Sequence, residues 1–107
     1  MTTLPGPISD YYSAESRNDI DALARLFAAD CVVRDEGQTF KGQAAVASWM
    51  QHAKAKYNHR TEVLAAHQDG DTCIVSVRVS GTFPNSPVTL AQRFRLSGNS
   101  IAALEIG

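Results

Sequence analysis

DIDALARLFAADCVVRDEGQTFKG, residues 19–42, is the stretch that decides the predicted fold. Asp19 is a suitable N-cap for a short helix, because apolar residues recur behind it at helical spacing, and Asp30 closes that helix. A β-branched run follows at once and predicts a strand over residues 31–35. Side chains alternate along a strand, so Asp35 lies on the face that carries the inward apolar residues. The pattern therefore directs one carboxylate toward apolar neighbours.

This stretch resembles a known family. A helix that ends in LFAAD, a strand that ends in Asp35, and Gly42 at the start of the next helix are similar to the SnoaL-like and ketosteroid isomerase-like branch of the nuclear transport factor 2-like superfamily. The likeness can be followed over residues 9–107. It implies an α+β fold with a cone-shaped, curved, mostly antiparallel sheet and about three helices on one face, as in cystatin-like folds. It implies less about chemistry, because the superfamily holds both enzymes and binding domains.

Length and charge restrict the classes of protein to which the chain can belong. A chain of 107 residues predicts one SnoaL-like domain over residues 1–107, with a loose lead-in over residues 1–7. Ten Lys and Arg against eleven Asp and Glu give a net charge of -1 without a basic run, which disfavours nucleic-acid and anionic-membrane partners. Apolar runs are too short to span a bilayer, and the start lacks the pattern of a signal peptide, so we expect a cytoplasmic protein.

Periodicity predicts helices first and a run of antiparallel strands afterwards. The first helix is expected to begin near Ile8, with Ser9 or Asp10 as its cap. The third reads QAAVASWMQHAKAKY, with Lys54 among its solvent-facing residues. A short return strand over residues 39–41 precedes that helix, and longer strands follow it over residues 60–68, 72–83, 88–96 and 100–106.

Polar residues on apolar strand faces are the main candidates for function, because burying a polar group without a partner costs about 1–3 kcal/mol. Gln92 stands on a strand face that otherwise carries apolar residues such as Leu90 and Phe94. Asp35 is placed inward by the alternation of its own strand. Glu105 is a third candidate, and both faces of its strand are apolar, so its direction stays open.

The resemblance implies roles for these residues. It puts Asp35 in the place of a general base and Tyr11 in the place of a phenol that donates a hydrogen bond to the substrate, as in ketosteroid isomerase. Gln92 stands where that enzyme has a protonated Asp, and an amide is the weaker donor, which argues against steroid isomerisation. Structural interpretations remain open for two of them: Tyr11 as a core ring, and Gln92 as an amide bonded to Tyr11 or to the backbone.

A pocket wall is also implied by the resemblance. Trp49 and Met50, on the third helix, correspond to positions that wall the pocket in the resembling enzymes, and the open alternative is that they only pack against the sheet. Four further residues complete the predicted lining: Phe27, Phe94, Ala103 and Glu105.

Neither a metal nor a cofactor is predicted. His52, His59 and His67 are separated by seven and eight residues, and these spacings match no ligand motif. Cys31 and Cys73 fall in predicted strands without CxxC spacing, so we interpret them as buried apolar residues rather than as a disulfide.

Two functional hypotheses follow. The first is an isomerase-like or cyclase-like enzyme in which Asp35 moves a proton α to a carbonyl, while Tyr11 and Gln92 stabilise the developing oxyanion. The second is a ligand-binding or dimerisation domain of the same fold that catalyses nothing. Both predict a pocket for a small apolar or carbonyl-bearing ligand.

A homodimer through the outer face of the sheet is also predicted. That face carries Ile74, Ala91 and either Ala102 or Leu104, interleaved with serines and arginines. A mixed apolar and Arg-bearing face suits a two-fold interface, because each favourable contact occurs twice. Sheet-to-sheet dimers are common in the superfamily that the chain resembles.

Overall fold

Three helices accompany a six-stranded sheet in the computed structural model, which describes residues 4–106. The elements follow in the order α1 (Gly6–Ser16), α2 (Ile20–Arg25), β1 (Phe27–Asp35), β2 (Gln38–Lys41), α3 (Gln43–Tyr57), β3 (Arg60–Asp69), β4 (Thr72–Ser80), β5 (Val88–Ser97) and β6 (Ser100–Ile106). Within the described residues, the helices are all too short or too polar to cross a membrane.

The sheet has the strand order β2-β1-β6-β5-β4-β3. β1 runs parallel to β6, and the other neighbouring pairs are antiparallel. The curled sheet holds a buried core against the three helices, which includes Cys31, Val33, Val75 and Phe94 on strands. The predicted α+β fold is therefore confirmed.

Two predicted helix starts are confirmed by their local geometry. The Asp19 carboxylate accepts a hydrogen bond from the Ala22 N–H at 3.2 Å, which satisfies one of the free donors at the start of α2. Gly42 precedes α3 with a φ of 86°, a backbone conformation that favours glycine.

The first helix begins earlier than its predicted cap. α1 starts at Gly6, with Pro5 at the N-cap position, so Ser9 and Asp10 lie inside the helix. Pro7 lies in the first turn, where the lack of an N–H is harmless. Residues 1–3 of the predicted lead-in lie outside the described residues.

The second helix is shorter than predicted, and Asp30 does not close it. α2 ends at Arg25, and Phe27 already belongs to β1. The reason is a partner distant in sequence: Phe27 pairs with Ile101 of β6, and the Ile101 N–H donates to the Leu26 carbonyl at 2.8 Å. Strand pairing therefore prevails over the helical spacing of these residues.

β4 also ends earlier than predicted, at Ser80 rather than Phe83. The Thr82 N–H and hydroxyl both donate to the Tyr57 carbonyl, at 2.7 and 3.0 Å, and so draw the chain toward the end of α3. Gly81 permits this approach, since a Cβ there would lie 2.5 Å from the Tyr57 carbonyl oxygen. This segment forms one side of the cavity described below.

A β-bulge in β6 reverses the predicted direction of two side chains. Leu96 pairs with Ile101, and the preceding residue Arg95 pairs with Ala103, so the bulge adds one residue to β6. One extra residue inverts the alternation beyond it. Ala103 and Glu105 therefore point to the outer face, and their predicted place in the pocket is wrong.

Candidate functional site

A cavity of about 640 Å³ lies between α1, α3 and the inner face of the sheet. It is lined by five of the predicted site residues: Tyr11, Asp35, Trp49, Met50 and Gln92. They come from two helices and two strands that are far apart in sequence. The convergence that the enzyme hypothesis requires is therefore present.

Phe27 and Phe94 lie beneath the cavity rather than on its wall. Both are fully buried, and their ring centroids lie 6.0 and 5.3 Å from that of Tyr11, each in an edge-to-face arrangement. Such aromatic contacts fix the position of a ring through shape and quadrupole. The two phenylalanines therefore support Tyr11 from below and do not line the cavity.

Asp35 ends β1 at the rim of the cavity and is half-buried. The Trp49 indole N–H donates to its Oδ2 at 3.0 Å, which orients the carboxylate. Burial raises the pKa of Asp35 above its ordinary value, and the Trp49 hydrogen bond opposes that rise. The carboxylate lines the cavity, where it can meet a ligand.

Tyr11 is 1% exposed, and its hydroxyl is nevertheless open to the cavity. Among the described residues, the Tyr11 hydroxyl has no hydrogen-bond partner. Every fully buried side-chain oxygen there does have a partner, so this hydroxyl is not fully buried. Burial, followed by the nearby Glu15 carboxylate, raises the pKa of Tyr11 well above its ordinary value. The phenol therefore stays protonated and can donate to a ligand oxygen.

Gln92 is held by Tyr12, a residue that the sequence analysis did not place in the site. The Tyr12 hydroxyl donates to Oε1 of Gln92, so the acceptor end of the amide is occupied. Gln92 is 5% exposed and lines the cavity, which leaves its NH₂ group as the donor available there. The structural alternative for Gln92 named Tyr11 or a backbone group as its partner, and the observed partner is Tyr12, the residue next to Tyr11.

Glu15 and Lys54 form a buried ion pair at one end of the cavity, which was also not predicted. Lys54 Nζ lies 3.1 Å from Glu15 Oε1 and also donates to the His59 carbonyl at 2.9 Å. Lys54 is therefore not solvent-facing as predicted. Burial, followed by the Lys54 charge, lowers the pKa of His59, whose side chain also lines the cavity. The available signal was the spacing of Glu15, four residues after Tyr11 on the same helix face.

One hydrogen bond joins Tyr57 and Glu36, two residues of the cavity lining. The Tyr57 hydroxyl donates to Glu36 Oε1 at 3.0 Å, and the Tyr57 ring packs on Phe83 with centroids 5.8 Å apart. Glu36 and its neighbour Gly37 are exposed. Among residues 4–106, no three His, Cys, Asp or Glu side chains are arranged to hold a metal ion.

The sequence model of the SnoaL-like domain matches residues 8–104. The chain belongs to the SnoaL-like domain family. No match is found among curated proteins. Among solved structures, a candidate polyketide cyclase of Sinorhizobium meliloti is 43% identical, with 97% of this chain and 95% of that one covered and a TM-score of 0.94.

Two more distant structures share the fold. A Catenulispora acidiphila protein with a ketosteroid isomerase-like fold, solved in complex with trimethylamine, is 23% identical, with 98% of this chain and 86% of that one covered and a TM-score of 0.85. A candidate ketosteroid isomerase of Kribbella flavida is 15% identical, with 94% and 73% covered and a TM-score of 0.79. At these identities, the two structures are evidence for the shared fold alone.

Proposed function

We propose that this SnoaL-like protein binds a small carbonyl compound in its cavity and transfers a proton at the carbon α to the carbonyl. The observation that carries the proposal is the convergence of Asp35, Tyr11 and Gln92 on one cavity. A base and two donors are the groups that an enolate-forming reaction requires. The Sinorhizobium meliloti neighbour, a candidate polyketide cyclase, supports the same class of chemistry.

In this reaction Asp35 removes the α-proton. The C–H electron pair forms a C=C bond, and the carbonyl π pair moves to the oxygen, which becomes an oxyanion. Tyr11 and Gln92 donate hydrogen bonds to that oxygen. In a substrate with a β,γ C=C bond, Asp35 returns the proton to the γ-carbon while the oxyanion re-forms the carbonyl, which gives the conjugated isomer. In a substrate with a second carbonyl group, the enolate carbon attacks that carbonyl carbon. The π pair of the second carbonyl moves to its oxygen, which takes the proton from Asp35, and the ring is closed.

The perturbed acidities support this assignment. The raised pKa of Asp35 makes its carboxylate a stronger base than an exposed aspartate, and the raised pKa of Tyr11 keeps the donor protonated at neutral pH. An amide cannot transfer a proton to the oxyanion, so Gln92 contributes only a hydrogen bond. The reaction therefore requires a substrate that is already activated by its own structure, such as a β-dicarbonyl compound.

The wall of the cavity favours a largely apolar ligand. Four aliphatic residues contribute to it: Val79, Val88, Leu90 and Ile106. A volume of about 640 Å³ lies within the range of pockets that bury most of a small organic ligand.

α-Proton exchange tests the proposal without knowledge of the natural substrate. Cyclic β-diketones and simple ketones are incubated in D₂O with the protein, and the loss of the α-proton signal is followed by NMR. We expect catalysed exchange with at least one of them, and we expect Asp35→Asn to lower the rate by about 100-fold or more. Asp30→Asn, an exposed carboxylate on the same strand, serves as the matched control.

A second function, binding without turnover, is favoured by one observation. One of the two proposed oxyanion donors, Gln92, is an amide, which is a weaker donor than a carboxylic acid. A ketone that raises the melting temperature of the wild-type protein, but whose α-proton does not exchange faster than in buffer, would support the binding function. That result would contradict the proton-transfer proposal.

We also propose a homodimer through the outer face of β3, β4 and β5. Ile74, Ser76 and Ala91 form a half-buried patch there, and Ser76 pairs with Ala91 across the strands. A stable two-fold interface buries about 1,200–2,000 Å² in total, which the outer face of several strands can supply. Light scattering at micromolar concentration should give twice the monomer mass of 11.6 kDa. A monomer mass would exclude this dimer.

A further inference from the structure

A second groove, of about 360 Å³, lies on the outer face of the sheet, on the opposite side from the cavity. Three arginines line it: Arg34 from β1, and Arg93 and Arg95 from β5. The only acidic side chain in the lining is Glu105 of β6. The groove is therefore cationic, in a chain whose net charge is -1.

Strand register gathers the three guanidinium groups around β6. Arg34 and Arg93 are the partners of Glu105 on its two sides. Arg95 pairs with Ala103, two residues before Glu105 on the same face. Adjacent strands lie about 4.8 Å apart and residues i and i+2 about 6.8 Å apart, so all three side chains reach one point above β6.

Small side chains leave room at that point. Ala103 is the residue of β6 between Arg95 and Val32, so no long side chain fills the floor of the groove. Thr72 pairs with Arg95 and adds a hydroxyl to the wall. Lys41, the partner of Val32 on β2, adds a further cation beside the groove.

The arginines are poorly neutralised by the protein itself. Within residues 4–106, neither Arg34 nor Arg95 forms an ion pair, and Arg93 lies 4.0 Å from Glu105. By contrast, Arg78 on the same sheet face lies 3.1 Å from Glu62. Guanidinium groups present paired donors that match the oxygens of phosphates and carboxylates.

We propose that this groove binds a small polyvalent oxyanion, a compound with phosphate or clustered carboxylate groups. The site is separate from the cavity and does not depend on the proton-transfer function. The groove shares the outer face with the patch assigned to the dimer, and Arg93 pairs with Ile74 of that patch, so both proposals hold only if the dimer leaves Arg34, Arg95 and Glu105 uncovered.

Calorimetric titration with inorganic pyrophosphate, and in parallel with citrate, tests the site at low and constant chloride. We expect saturable binding with one anion per chain. Response to pyrophosphate alone identifies a phosphate site, and response to both identifies a general polyanion site. The absence of saturable binding of either anion up to about 10 mM, a range that would still detect a dissociation constant of about 1 mM, would overturn the proposal.

Variants separate a built site from general electrostatic attraction. Arg34→Ala and Arg95→Ala should each weaken pyrophosphate binding about tenfold, since each removes a charge-assisted contact. Arg78→Ala removes the same charge from the same face and should change the affinity less than about twofold. Glu105→Gln should tighten binding, because it removes the competing carboxylate. Equal weakening by all three arginine variants would overturn the proposal, and unchanged melting temperatures establish that the variants are folded.

Discussion

The two faces of β5 differ in what holds their polar groups. Gln92, on the inner face, is 5% exposed and receives a hydrogen bond from Tyr12. Arg93, the next residue, is exposed on the outer face and reaches its only ion-pair partner among the described residues, Glu105, at 4.0 Å. On β5, the inner polar group is therefore fixed by a partner, and the outer one is accessible to solvent. The inner face is therefore suited to orienting a reaction, and the outer face to capturing a soluble ion.

Two ion pairs extend the same comparison to energetics. Glu15–Lys54 and Glu62–Arg78 both have an N–O separation of 3.1 Å. Their side chains are 5% and 16% exposed in the first pair and 63% and 50% exposed in the second. The distance between two charged atoms therefore says little about how much the ion pair contributes to folding stability. The loss of stability when one partner is removed depends on how deeply the other is buried.

The largest expected effect comes from breaking these pairs. Lys54→Met leaves the buried Glu15 carboxylate without its cation and should lower the free energy of unfolding by about 3–5 kcal/mol. Arg78→Met leaves the exposed Glu62 in water and should lower it by about 0–1 kcal/mol. Urea denaturation of both variants measures the difference. Equal losses would show that burial does not distinguish the two faces.

A smaller effect is expected from the partner of Gln92. Tyr12→Phe leaves Oε1 of Gln92 buried without a donor and should lower the free energy of unfolding by about 1–3 kcal/mol. Tyr57→Phe removes the exposed hydrogen bond to Glu36 and should have an effect below about 1 kcal/mol. Thermal and urea unfolding compare the two variants. A Tyr12→Phe protein as stable as wild type would mean that Gln92 is not fixed by Tyr12.

The pH dependence of the free energy of unfolding should report the protonation of His59, which lies at the Glu15–Lys54 end of the cavity. The pKa of His59 is lowered in the folded protein, so below the ordinary value of 6.5 the unfolded chain binds a proton that the folded one does not. The contribution of neutral His59 to the free energy of unfolding is therefore fully present above pH 6.5, and it is lost as the pH falls toward the pKa of His59 in the folded protein. His59→Gln should flatten this part of the stability profile, whereas the exposed variant His67→Gln should leave it as in wild type.

The smallest effect is expected in the pH–rate profile of α-proton exchange. The rate should rise with pH as Asp35 loses its proton, with an apparent pKa above the ordinary 3.8. Trp49→Phe removes a hydrogen bond that favours the carboxylate, so it should move this rise to higher pH. A shift to lower pH, or no shift, would show that Trp49 does not set the acidity of Asp35.

Regular strands were predictable from the sequence, and with them two site residues. The pairing of β1 is irregular between Phe27 and Val32, but the alternation is regular over the short predicted strand 31–35. It is also regular along β5 as far as Gln92, and both Asp35 and Gln92 line the cavity, as period-two reasoning predicted. The direction of Glu105 stayed open in the sequence analysis, because both faces of its strand are apolar, and it is decided by a β-bulge that no local pattern shows. Phe27 follows helical spacing and still enters a strand, because its partner Ile101 is distant in the chain. Errors therefore occurred where long-range pairing overrides local periodicity.

The sequence did not predict correctly all the helix residues that point toward the site. Tyr11 came from the family resemblance, and its neighbour Tyr12 was missed, although both rings reach the site. Lys54 was predicted to face solvent because most lysines do, and it is instead largely covered because Glu15 on another helix supplies its partner. An ion pair between two helices cannot be predicted from the sequence pattern of either helix alone.

The central claim is that Asp35 and Tyr11 act on one bound carbonyl group. A double-mutant cycle on the α-proton exchange rate tests it most directly, with Asp35→Asn, Tyr11→Phe and the double variant. Each single change should lower the rate by about 100-fold or more, and the double variant should lose much less than the product, because both groups serve one transition state. A wild-type rate in either single variant, or two effects that simply multiply, would contradict the claim.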